Sequence, residues 1–330
     1  MKKIPVVLTV SMVCLLALGL SPSTILAQQN TSFPEKGRTI NVIVPFAAGG
    51  SVDISARLLA PLLEKDLGTP VQVVNRPGAG SQLGINAMVR AKPDGYTLAY
   101  TLLPLTVTTY LNHQLKAAFG RKDLQPLAMH TSDAQYVTVV ANSRYKTLKE
   151  LIDAAKANPE KVTTSATGIY SPEHLAILQL EKAVGAKFSV VFFDGGALQT
   201  TALLGGHIDF QLSTLGNFTS AHKNGQVRFL GVMSREDEPR LLPDVKTVES
   251  QGYKIYSYVS RGISVPAGTP APIVEVLSRA IKKALESDEH KKSIKEMNMT
   301  LNYMNPQKMT AFWDEVEQQV KPLLTMELSK

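Results

Sequence analysis

The chain carries six histidines, His113, His130, His174, His207, His222 and His290. None stands in the H-E-x-x-H spacing that sets two rings on one helix face around zinc, and none adjoins a cysteine. No G-x-S-x-G segment places a serine on a strand-to-helix elbow. His174 falls in the first turn of an expected helix, where it can cap the chain or touch a ligand. Asp53 and Asp194 make an acid pair only if the fold brings them together. These residues give little support for nucleophilic, metal or paired-carboxylate chemistry, and neither a metal nor a cofactor is expected.

A different chemistry is suggested by "VPFAAGGSVD", in which the small residues Ala47, Ala48, Gly49, Gly50 and Ser51 lie between an apolar run and an amphipathic one. The first amides of a helix have no intrahelical acceptor, and the aligned peptide dipoles leave partial positive charge there. Small side chains let an anion approach those amides. The alternative is a tight turn capped by Ser51 or Asp53. No Lys-Ser/Thr follows, which excludes a nucleotide P-loop. Thr167, Gly168 and Ser171 in "ATGIYSPEH" and Gly195, Gly196 and Ala197 in "FFDGGALQ" repeat the pattern at two further helix starts. Three such turns favour one small anion gripped from two sides over three unrelated bends. "NRPGAGSQLG" places Gly78, Gly80 and Gly84 in GxGxxxG spacing, and no acidic residue ends the following strand, so it does not match a dinucleotide fingerprint.

The elements that must position these turns alternate. "TINVIVPF" predicts a buried strand. "VDISARLLAPLLEKDLG" predicts a helix with Ile54, Leu58 and Leu62 in one row, Leu59, Leu63 and Leu67 in the next, and a kink at Pro61. "PVQVVN", "GSQLGINAMVRAKPDG" and "YTLAYT" continue as strand, helix and strand, the rhythm of a parallel sheet. The middle repeats it: "AQYVTVVAN", "KVTTSAT", "KFSVVFF", "IDFQLS" and "VRFLGVMS" read as strands. Helices are expected at "TLKELIDAAKANP", with a Thr147/Glu150 capping box, at "SPEHLAILQLEKAVG", capped by Ser171 ahead of Pro172, and at "GALQTTALLGG" and "GNFTSAHKNG". "GTPAPIVEVLSRAIKKALES", capped by Thr269, and two further helices close the chain, with Trp313 on the core face of the last.

Bulk composition agrees with a globular protein: 330 residues, 44% hydrophobic and 19% charged, enough for two lobes. Residues 1–27 read as a secretory leader: Lys2 and Lys3, an apolar run, and a small-residue exit at Ala27. Cys14 is the one cysteine and lies in this leader, so the exported chain is expected to lack thiol and disulfide chemistry. The net charge is +7, of which roughly +5 remains after the leader, and it is scattered. Nucleic acid is not an expected partner.

The segments "FPEKGRTINVIVPFAAGGSVDISARLL", "VVNRPGAGSQLGINAMVRAKPDGYTL", "FFDGGALQTTALLGGHIDF", "LPDVKTVESQGY" and "VPAGTPAPIVEVLSRAI" occur in this order. The chain so resembles the Bug family, the periplasmic substrate-binding proteins of tripartite tricarboxylate transporters. The resemblance implies an α/β, two-lobed type II periplasmic-binding-protein-like fold with a ligand cleft between the lobes. Lobe 1 would combine 33–134 with 257–330, and lobe 2 would span 135–256, with crossings near "AQYVTVV" and "YSYVSRG". It implies a monomer that captures a small organic acid and delivers it to an integral membrane permease, without catalysis.

Carried onto this sequence, the resemblance implies a carboxyl held at 46–53, with Phe46 and Ala48 in the turn, Gly49, Gly50 and Ser51 donating amides, and Asp53 capping or holding water. Thr101, Thr167 and Gly168 would orient the ligand beside Ile169, Asp194, Gly195 and Ala197, and Leu103 and Phe193 would form an apolar wall. Two departures stand out. The third strand ends in Tyr100-Thr101-Leu102-Leu103-Pro104 where the family often has small polar residues, and Asp194 replaces a common lysine. An anion there would disfavour a second ligand carboxylate and suit a monocarboxylate, an aromatic acid or an amino-acid-like compound. The rival readings are a receptor serving a sensor, and a hydrolase using Asp53 or His174.

Overall fold

The computed structural model describes residues 33–236 and 241–328. The expected leader lies outside the described residues. Among those described, no helix is long and apolar enough to cross a membrane.

Apolar runs become strands and amphipathic runs become helices in strict alternation through the first part of the chain. β1 (Ile40–Val44), α1 (Ser51–Leu67), β2 (Val71–Asn75), α2 (Gln82–Val89) and β3 (Thr97–Leu103) follow one another, and β1 pairs in parallel with both β2 and β3. This is the expected parallel unit. α1 runs unbroken through Pro61, which is exposed. Gly84 on α2 belongs to helix–sheet packing, since an added β-carbon would sit 2.6 Å from Pro45 Cβ. α3 (Leu105–Leu111) follows immediately.

The long strand β4 (Leu124–Val140) ties the molecule together. After it come α4 (Leu148–Ala157), β5 (Thr163–Ala166), α5 (Pro172–Val184), β6 (Ser189–Phe192), α6 (Gly196–Leu204), β7 (Gln211–Thr214), α7 (Thr219–Lys223) and β8 (Val227–Val232). β9 (Tyr258–Pro266), α8 (Ala271–Glu286), α9 (Asp288–Glu296), β10 (Leu301–Met304) and α10 (Pro306–Leu328) complete the order. The sheet path is β10-β4-β9-β3-β1-β2. β4 pairs antiparallel with β9 along Leu124 to Ala134, then with β7 and β8 from Gln135 onward. One strand therefore serves two halves of the sheet, and β5 and β6 form a separate parallel pair.

The cores divide in the same way. One set of buried side chains packs β1, β3 and β9 against α1 and α8, with Leu59, Tyr100, Ile263 and Leu277 at its centre. Another packs α3 and α10 on the sheet around Met129, Met309 and Trp313. A third lies in the other half, around Val137, Leu151, Leu180 and Phe210. Trp313 is fully buried, as expected of the core face of α10.

Caps hold some helix starts and not others. The Thr147 hydroxyl accepts from the Glu150 amide, but the Glu150 carboxylate accepts from Lys146 N, so the expected box is shifted by one residue. Ser171 caps α5 through the His174 amide. Thr269 does not cap α8: its hydroxyl donates to the Pro266 carbonyl, and Pro270 takes the cap position.

Candidate functional site between the two halves

The turn joining β1 to α1 meets the starts of α5 and α6 across a small cavity of about 30 Å³. Phe46, Gly50, Ser51, Asp53 and Thr167, all anticipated from sequence, line it. At its base lie Leu102, Val259 and Arg261, and Ser213, Thr214 and Asn217 close it from the other half.

Strand alternation decides which side chains of β3 reach this space. Leu102 pairs directly with Arg261 on β9, and both face the cavity. Thr101 and Leu103 point to the opposite face, away from this cavity. Thr101 is buried with its hydroxyl 3.0 Å from Ser264 Oγ, and Leu103 packs with Ile85 and Trp313.

Three amides of the turn leading into α1 are already paired. Gly49 N donates to Asp53 Oδ2 at 2.9 Å, Ala47 N to the Asp194 carbonyl at 2.9 Å, and Ser51 N to Asn217 Oδ1 at 2.7 Å. Two of the three expected donors, Gly49 and Ser51, are therefore taken by protein acceptors in this closed arrangement. Gly195, at φ +145°, permits it: an added β-carbon would lie 3.3 Å from Ala47 N. Ala197 stands against Gly49 and Gly50, and Gly168 against Gly80, so these three pairs bring the halves into contact beside the cavity.

Other anticipated residues fall outside it. The Asp194 side chain is exposed and is absent from the cavity wall, so it gives no charge argument about a ligand. Ala48 and Ile169 are exposed, and Phe193 packs against the cluster around Leu203 and Phe218. His174 Nδ1 accepts from Tyr170 N at 2.9 Å, and its ring meets Phe192 edge-on.

Two residues that sequence reasoning passed over organise the site. Arg261 is 1% exposed; Nη2 donates to Ser51 Oγ and Thr214 Oγ1, both at 2.9 Å, and Nη1 donates to Thr131 Oγ1 and the Asp133 carboxylate. Burial is the larger influence on Asp133 and raises its carboxyl above the ordinary value, against the opposing pull of Arg261 and the Thr300 amide. Asn217, on the turn before α7, places its oxygen at the start of α1 while Nδ2 donates to Ser213 Oγ at 2.6 Å.

Asp53 is held differently. Burial alone would raise its carboxyl, but hydrogen bonds from Arg57, the Gly49 amide and Asn75 bring it below the ordinary carboxylate value. Its oxygens are committed to organising the turn. Among the described residues no group of three or more His, Cys, Asp or Glu side chains is arranged to hold a metal ion.

Comparison with known proteins identifies the lineage of this arrangement. Residues 55–327 match the model of the tripartite tricarboxylate transporter family receptor, TctC. The chain is 33% identical over 311 residues to a Cupriavidus necator protein described as lying in the gbd 5' region, covering 93% of this chain and 92% of that one. It is similar to the solved periplasmic binding protein BugD, with 27% identity, a TM-score of 0.82, and coverage of 89% and 98% of the two chains. MatC from Rhodopseudomonas palustris, solved with bound malate, is 25% identical with a TM-score of 0.82, covering 88% of this chain and all of that one (100%). These neighbours share the two-lobed α/β fold expected from the sequence, and the chain belongs to the TctC family of periplasmic solute-binding receptors.

Proposed function

We propose that this protein is exported, with its leader cut after Ala27, and captures a small organic acid between lobes formed by 33–134 plus 257–330 and by 135–256. The liganded closed form would then be presented to an integral membrane permease. The observation that carries this reading is the convergence of the α1 start and the buried Arg261 guanidinium on one cavity walled from both halves. Helix-start amides and a planar cation both suit a carboxylate. The malate in MatC supports the same ligand class. The proposed lobe limits agree with the way the buried clusters around Leu59, Met129 and Val137 separate.

A cavity of about 30 Å³ holds only one or two waters, so ligand entry requires the halves to part and the Asn217 oxygen to yield the Ser51 amide. Closure on the ligand must then rest on contacts made only in the closed state. Gly50, Ser51 and Arg261 would meet the carboxylate, with Gly49 held by Asp53 shaping the turn, and Thr167 and Leu102 would fix the remainder. Binding without turnover fits the commitments of Asp53 and His174, whose acceptor atoms serve backbone amides.

The test is a thermal-shift screen of residues 28–330 against small organic acids. A ligand at a hundred times its dissociation constant should add about 2.7 kcal/mol to stability. If no acid raises the melting temperature and native mass spectrometry shows no co-purified compound, the receptor reading fails.

A further inference from the structure

Three ionisable side chains line the cavity between the halves: Asp53, Glu173 and Arg261. Two have their countercharge in place. Arg57 Nε lies 2.9 Å from Asp53 Oδ2, and the Asp133 carboxylate pairs with Arg261. Glu173 does not. It is 6% exposed, at the second residue of α5, and its carboxylate accepts one hydrogen bond, from Thr167 Oγ1 at 2.8 Å. Among the described residues no Lys, Arg or His lies within ion-pair distance of it.

A buried carboxylate without a cation is costly, and the start of α5 offsets only part of its charge. Elsewhere in this cavity the fold supplies the partner, so the missing positive charge is expected from the guest. Resting on the receptor reading above, we infer that Glu173 selects a small organic acid that also carries a protonated amine. The acid's carboxylate faces the α1 start and Arg261, and its ammonium faces Glu173. Closure of the halves then completes the ion pair, which gives the closed state a contact the open state lacks. A dianion would instead set a second negative charge against Glu173.

The experiment is isothermal titration of the exported chain, wild type and Glu173→Gln, at pH 7 with three matched pairs: L-aspartate and succinate, 4-aminobutyrate and butyrate, L-phenylalanine and 3-phenylpropionate. The wild type is expected to favour the amine-bearing member of the pair that fits by at least tenfold, and Glu173→Gln to lose that preference. Glu173→Asp, which keeps the carboxylate on a side chain one methylene shorter, should retain the preference, separating charge from local structure. A wild type that binds the amine-free acid equally or better, or a Glu173→Gln protein with an unchanged ratio, overturns the assignment while leaving the receptor reading intact. Failure of all six compounds, together with no adduct on natively purified protein, removes the receptor reading and this inference together.

Discussion

The Ser51 amide donates to the Asn217 side-chain oxygen at 2.7 Å across 166 residues of sequence, so the start of α1 is satisfied by a neutral acceptor from the other half of the molecule. That oxygen stands where a carboxylate would gain most from the helix dipole. Replacing Asn217 with Asp makes the internal acceptor anionic. The expected result is a closed form more stable by about 0.3–1 kcal/mol, in line with helix-dipole effects, and organic-acid binding weakened at least tenfold. Melting temperature and titration calorimetry measure both. A lower melting temperature with undiminished affinity would show that Asn217 is not a stand-in for the ligand.

Arg261 and Asp133 form an ion pair with both side chains almost wholly out of solvent. Removing one partner strands the other charge, at a typical cost of about 3–5 kcal/mol, whereas replacing both with apolar residues of similar volume costs far less. Asp133→Leu is expected to destabilise the fold by that amount in urea unfolding, and Asp133→Leu with Arg261→Met to recover more than half of the loss. Strict additivity of the two substitutions would mean that the pair is not coupled.

The strands and helices that read clearly in the sequence are those whose composition agrees with their burial. "INVIV" and "LKELIDAAKA" are examples. The first part of β4, "LQPLAMHTS", was missed because Pro126 and His130 interrupt an apolar run, although its backbone pairs with β9. α3 was missed because Thr106, Val107, Thr108 and Thr109 are β-branched residues, and tertiary packing beside α10 overrides their weak helix propensity. The glycine turns of the site were legible; their closed pairing was not, since Asn217 and Asp194 become acceptors only through long-range topology. Arg261 did leave a signal: in "YVSRGISVP" it shares strand parity with Val259 and Ile263, both buried, so an arginine on the inner face was there to be read.

The same parity separates Leu102 from Leu103. Leu103 is 1% exposed in the core beside Trp313, while Leu102 faces the cavity beside Arg261. Leu103→Ala should cost about 2–5 kcal/mol of stability through the void it leaves, with ligand affinity changed less than threefold. Leu102→Ala alters the cavity wall itself and should change affinity at least tenfold. Urea unfolding and calorimetry on both variants decide the matter, and an affinity loss confined to Leu103→Ala would reverse the assignment.

His130 and His290 are buried 2.8 Å apart through their Nε2 atoms, and Tyr100 bonds to the other nitrogen of His130 at 2.8 Å. Burial, with His290 and Arg261 adding to it, holds His130 well below the ordinary histidine range, and burial lowers His290 to about 4. Both rings are neutral in the native state at pH 5, whereas the unfolded chain protonates near pH 6.5. The unfolded state therefore binds more protons through this window, and stability falls as pH falls. Each ring should account for about 2 kcal/mol between pH 7 and pH 5, where most carboxylates are ionised in both states. His290→Gln keeps a hydrogen-bonding partner for His130 and removes one titration, so the slope of unfolding free energy against pH should be halved between pH 6 and pH 5. Urea titrations at half-unit pH steps supply that slope. A flat profile in the wild type, or the same slope in His290→Gln, would show that these rings are not buried as neutral species.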